Sequence, residues 1–160
     1  MPTTRNSIHD NARKTATAAL GARLADAIDL ALAIKHAHWN VRGPEFIAVH
    51  EMLDTLRGEV DEHVDTMAER ISQLAGSPQG TLQAVAGATS LPAYPVAAKG
   101  ITPHLTALAD RFGALANAVR KDIDEVGAAG DATSADVLTQ VSRGLDKALW
   151  FIEAHLPAGD

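Results

Sequence analysis

The chain has 160 residues, which suits one domain with a sizeable core. Its net charge is −6 and it has no cysteine. A nucleic-acid binder working through its overall field would carry the opposite sign. Disulfides, thiolate metal sites and a cysteine nucleophile are all excluded. No run of about 18 apolar residues occurs, and the first 14 residues hold no apolar h-region. The expectation is a cytoplasmic protein with no membrane partner.

A first helix is expected from about Ser7 to Val41. Leu20, Leu24, Ala27, Ala31, Ile34 and His38 recur at three- and four-residue spacing. Val41-Arg42-Gly43-Pro44 ends it, and Pro44 fits the first turn of a second helix reaching about Ala75. Phe46, Val49, Leu53, Leu56, Val60, Val64, Met67, Ile71 and Leu74 form its apolar stripe. Gly76-Ser77-Pro78 stops it. Residues 76 to 100 are rich in Gly and Pro and read as a long connection, with a short helix near Thr81 to Val85. A third long helix spans about Thr102 to Val126, with Leu105, Leu108, Phe112, Leu115, Val119, Ile123 and Val126 inward. Gly127 to Thr133 reads as a loop. Ser134 is expected to cap a fourth long helix ending near Ala154, with Leu138, Val141, Leu145, Leu149 and Ile152 inward. The expected fold is all-α, a single ferritin-like four-helix bundle over 1–160 with a long crossover between helices 2 and 3 and a short flexible tail at about 1–7.

The second helix carries the chemistry. His50 and Asp54 are four residues apart, as are Asp65 and Glu69, so each pair shares one face. From Asp54 to Asp65 is eleven steps, which returns to within ~20° of the same direction after ~16 Å of rise. A metal–ligand bond is about 2 Å long. One helix therefore cannot close a site from both pairs, but two copies packed antiparallel about a two-fold axis can close two. Gly58 lies near the midpoint, where dyad-related helices would pass closest. His38 occupies a position where the first helix should be apolar. The bland alternative, a solvated polar face, explains neither Gly58 nor His38. Two imidazoles with three carboxylates suit iron moving between Fe(II) and Fe(III). A Glu-x-x-His site inside one bundle is absent, because no carboxylate stands three residues before any of the seven histidines.

The run KHAHWNVRGPEFIAVHEMLDTLRGEVDEHVDTMAERISQLAG resembles the signature of the Dps miniferritins, and SADVLTQVSRGLDKALWFIEAHL is similar to that family's last helix. The resemblance covers essentially the whole chain. It implies a hollow homododecamer that oxidises Fe(II), with hydrogen peroxide preferred over oxygen, and stores ferric mineral. The family's five ligand positions match His38, His50, Asp54, Asp65 and Glu69, the first three from one subunit and the last two from its dyad mate. Lys35 is a candidate partner for a site carboxylate. Trp39 is a candidate sacrificial aromatic or interface residue. His63 reads as a surface residue or a transient metal contact. Acidic residues near the last interhelical loop line the family's three-fold pores, and Glu125, Asp131 and Asp136 match those positions best. DNA-condensing members carry a lysine-rich tail. Here the tail offers only Arg5, Arg13 and Lys14 against Asp10, so DNA binding is expected to be weak or absent. The alternative is a nucleoid-associated protein that protects DNA by coating it.

Overall fold

The computed structural model describes residues 4–157, and these form five helices without strands. They are α1 (Asp10–Asn40), α2 (Phe46–Gln73), α3 (Leu82–Ala88), α4 (Thr102–Ala129) and α5 (Ala132–Glu153). α1 packs against α2 and α4, α5 packs against α4 and α2, and the short α3 lies on α1. The architecture is the expected four-helix bundle, with the crossover running from α2 through α3 to α4.

The core follows the apolar spacing. Leu20, Leu24, Leu30 and Ile34 of α1 meet Leu53, Leu56, Met67 and Ile71 of α2, with Leu108, Phe112, Leu138 and Leu145 from the other two long helices in the same cluster. Phe46 departs from expectation. It heads α2 and remains 39% exposed.

The helix ends differ from the sequence reading for local reasons. α1 starts three residues later than expected. Before it, Asn6 and Ile8 present main-chain carbonyls to the Arg13 guanidinium, which holds this segment against the bundle. Met1 to Thr3, the start of the expected flexible tail, lie outside the described residues. Pro44 sits in the turn before α2, whose first turn opens after Glu45. At the far end, Ala75 takes a positive φ of 61°, so the reversal falls one residue ahead of the glycine. Gly76 is required for space instead, because a Cβ there would lie 2.7 Å from Ile71 Cγ2.

The connection between α4 and α5 is much tighter than expected. α4 continues to Ala129, Gly130 turns the chain with φ 101°, and Asp131 caps α5. Ser134 is not the cap. Its main-chain N–H donates to Asp131 Oδ1 at 3.0 Å, and its hydroxyl donates to the other carboxylate oxygen. Arg70 of α2 reaches across the bundle and closes the cluster, donating to Ser134 Oγ at 2.8 Å and Asp131 Oδ1 at 3.0 Å. All three side chains are buried.

The crossover is tied down by two carboxylates of α1. Asp26, fully buried, accepts from Ser90 N at 2.6 Å and pairs with Arg23 at 3.0 Å. Asp29 pairs with the buried Arg111 of α4 at 2.6 Å, and Arg111 also donates to the Pro92 carbonyl. Buried charges persist only when paired and hydrogen-bonded, and here each one is.

Burial works against the Asp131 charge, but the Ser134 donors and Arg70 outweigh it and hold its carboxyl below the usual range. The stability this lends is complete above the unfolded carboxylate range and is lost as pH falls through the lowered folded-state value. Arg70→Ala leaves a buried carboxylate without its counterion. The expected loss is roughly 3–5 kcal/mol, seen as a lower urea midpoint at neutral pH. An unchanged midpoint would show that the ion pair contributes nothing.

Candidate metal centre

His38 ends α1 and His50 lies in the first turns of α2, so the tight Val41–Glu45 connection brings them together. The rings stack with centroids 3.6 Å apart and planes 21° apart. Their main chains exchange partners. His38 Nδ1 donates to the His50 carbonyl at 2.8 Å, and His50 Nδ1 donates to the His38 carbonyl at 2.9 Å. A carbonyl can only accept, so each Nδ1 carries the proton. In the neutral rings Nε2 then holds the free lone pair, the tautomer a metal ligand needs. The sequence placed these two residues in one site but gave no sign of this reciprocal lock.

Asp54 lies one turn beyond His50 on the same face of α2, and Lys35 of α1 forms an ion pair with it. The Lys35 hydrogen bond is the main influence holding the Asp54 carboxyl below its ordinary range. Desolvation opposes it, while the positive charge of Lys35 and the fields of His38 and His50 add to it. His38 is buried and His50 half-buried, while Asp54 faces solvent.

Asp65 and Glu69 stand further along the same stripe. Both are exposed and neither enters an ion pair among the described residues. Between the two pairs, a Cβ on the exposed Gly58 would meet nothing within 4 Å. No group of three His, Cys, Asp or Glu side chains within one chain could hold a metal ion, among the described residues. The ligand-type side chains thus fall into two separate groups along one face of α2, His50 and Asp54 joined by His38 of α1, and Asp65 with Glu69.

Large apolar side chains surround the histidine half. Trp39 is 67% exposed and Ile47 61%, and the Phe46 ring lies 5.0 Å from that of His50. His63 departs from the reading as a surface residue. It is half-buried with its ring against Gly144 of α5, where a Cβ would fall 2.2 Å from Nε2. Burial pushes its imidazole below the ordinary value, against the opposing pull of Glu59 and Glu62.

The acidic group near the α4–α5 turn divides. Glu125 and Asp136 are exposed, whereas Asp131 is buried beneath Arg70. The Asp131 carboxylate is a structural cap, not a charge offered to solvent. Asp122 is also engaged, with Arg23 at 3.2 Å.

Residues 17–159 match the ferritin-like domain family. A DNA protection during starvation protein of Agrobacterium fabrum (strain C58 / ATCC 33970) is 53% identical over 153 residues, covering 96% of this chain and 94% of its own. This chain belongs to the Dps family. Solved Dps structures agree with it in fold. The tetragonal form of Mycobacterium smegmatis Dps superposes with a TM-score of 0.92 at 34% identity, over 98% of this chain and 96% of that one. DpsC from Streptomyces coelicolor superposes with a TM-score of 0.94 at 27% identity, over 99% and 93%. Membership in this ferritin-like family assigns iron storage and ferroxidase chemistry to the chain. No helix among the described residues is long and apolar enough to cross a membrane.

The Lys35–Asp54 pair is open to direct measurement. In metal-free protein, Lys35→Met removes the hydrogen bond that does most to lower the Asp54 carboxyl, so Asp54 should titrate at higher pH than in the wild type. Carboxylate NMR across an acid titration checks this. An unmoved Asp54 midpoint would mean that the pair is not formed in solution.

Proposed function

We propose that this Dps protein oxidises Fe(II) at dinuclear sites shared across a subunit dyad, and stores the ferric product inside a homododecameric shell. The observation that carries the proposal is the division of the α2 stripe into two half-sites about 16 Å apart, with Gly58 between them. An antiparallel copy of α2 crossing at Gly58 would set Asp65 and Glu69 of the dyad mate opposite His38, His50 and Asp54. The exposed Trp39, Phe46 and Ile47 would then be covered by the same contact, as exposed apolar patches of this kind generally are.

Each residue has a definite task in this reading. His38 and His50 present Nε2 to iron from rings fixed by main-chain carbonyls. Asp54, kept ionised by Lys35, adds a hard oxygen ligand. Asp65 and Glu69 supply the carboxylates that favour the ferric state. Two Fe(II) ions each give one electron to hydrogen peroxide, which is reduced to two hydroxide ions. Consuming both reactants together removes the source of hydroxyl radicals. Glu125 and Asp136 are the free acidic groups that would line a pore for iron, with Asp131 fixing the turn between them. An acidic funnel of this kind raises the local cation concentration.

Asp65→Ala and Glu69→Ala should each remove most Fe(II) oxidation while leaving subunit folding intact, because neither residue belongs to the core. Stopped-flow absorbance of ferric product after peroxide addition measures this, with assembly checked by sedimentation. Wild-type rates in both variants would refute the shared site.

The relative from Agrobacterium fabrum is named for DNA protection, but the charge of this chain argues for protection through iron chemistry. The Arg13 guanidinium is engaged by the Asn6 and Ile8 carbonyls, and every subunit adds −6 to the shell. Gel-shift binding to duplex DNA should be weak or absent at ~150 mM salt. Sub-micromolar binding at that salt, abolished by deleting residues 1–14, would restore the coating alternative.

A further inference from the structure

Behind the histidine half-site, on the other side of α1, lies a second group of aromatic and titratable side chains. His36 stands two residues before His38, which puts it about 200° around the helix. Its ring meets Tyr94 of the crossover edge-on, with centroids 5.3 Å apart. The Tyr94 hydroxyl lies 2.6 Å from Nδ1 of His104 in α4. The two rings are nearly parallel, with centroids 5.9 Å apart. His104 is fully buried, and Tyr94 is the single tyrosine of the chain. Arg111, fixed by Asp29 and the Pro92 carbonyl, is the charge that acts on the phenol.

The protonation states fit a proton donor and its acceptor. Burial pushes the Tyr94 phenol up to about 12, against the opposing effect of Arg111, so it keeps its proton. Burial, joined by the neighbouring His36, pushes His104 below the ordinary imidazole value, although the Ala98 main chain favours the charged ring. His104 is therefore neutral at neutral pH, and its Nδ1 can accept from the Tyr94 O–H. A purely structural tyrosine needs only some partner for its hydroxyl. Here the partner is a buried base at short distance, and the pair is joined through His36 to the helix that carries His38.

We propose that Tyr94 and His104 form a proton-coupled electron relay that quenches one-electron oxidants produced at the iron site. This inference rests on the ferroxidase reading. When a peroxide meets a single Fe(II), the metal supplies one electron, and the products are Fe(III), hydroxide and a one-electron oxidant of the hydroxyl-radical class. Tyr94 gives that oxidant one electron, reducing it to hydroxide. The phenolic O–H bond breaks as the electron leaves, and the proton passes to His104 Nδ1. A neutral phenoxyl radical and an imidazolium remain. A further Fe(II) returns the electron and becomes Fe(III), while the proton goes back to the phenol oxygen. The half-site and Tyr94 lie on opposite flanks of one helix about 10 Å in diameter, so the electron crosses α1 and no reactant has to diffuse through the core.

The test uses assembled protein loaded with less than one Fe(II) per half-site, mixed with hydrogen peroxide and freeze-quenched. Electron paramagnetic resonance reads radicals, and absorbance reads ferric product in the same samples. A tyrosyl signal is expected, hydrogen-bonded to a proton that exchanges in D2O, and Tyr94→Phe should lower it at least tenfold. The variant deletes one hydroxyl, and sedimentation confirms its assembly. Iron oxidised without a tyrosyl signal overturns the relay and leaves the ferroxidase reading standing. A signal with no exchangeable proton partner overturns the role of His104. No iron oxidised overturns both readings.

Discussion

α2 carries two stripes with different demands. Its apolar stripe, from Val49 through Leu53, Leu56 and Met67 to Ile71, is consumed by the bundle of its own chain. The stripe bearing His50, Asp54, Gly58, Asp65 and Glu69 is met by its own chain only at its start, where His38 stacks on His50 and Lys35 pairs with Asp54, while Gly58, Asp65 and Glu69 stay exposed. An exposed glycine in a helix interior costs about 1 kcal/mol against alanine, and paired carboxylates one turn apart repel each other. A free helix face gains nothing from either. In the proposed dyad both would serve the approach of a second copy of the helix.

The interior is held by a small number of polar anchors, each bridging elements distant in sequence. Asp26 fixes the crossover to α1, and Arg111 joins α4 to both. Arg70 links the end of α2 to the start of α5 through Asp131 and Ser134. Such anchors add little net stability beyond an apolar substitute. Their value is in direction, because each ties particular atoms of distant elements together. A long crossover fixed this way presents Tyr94 to His104 in a single arrangement.

The sequence told most where physics is periodic. The long helices, their inward faces and the shared stripe of α2 were all legible from three- and four-residue spacing, and the eleven-step return separated the two pairs of ligand-type residues along it. It told least where one residue depends on another far along the chain. Asp131 looks like any loop acid until Arg70, 61 positions earlier, is seen to bury it. His63 looks like a surface residue until Gly144 opens a space for its ring. Phe46 follows the apolar spacing but lies in the first turn, before the bundle closes around α2. The cap of α5 was misplaced because Ser134 and Asp131 are both good capping residues, and the buried arginine decides between them.

The exchange of bonds between His38 and His50 uses main-chain oxygens as acceptors. No side chain has to be kept for the two rings to hold their orientation. Residues 38–50 thus form a nearly self-contained clasp, in which the turn sets the spacing and each helix end orients the ring of the other. Sequence drift on the surrounding surface would leave the two nitrogen positions where they are, and the clasp could be carried as one short block into another helical hairpin with the same turn.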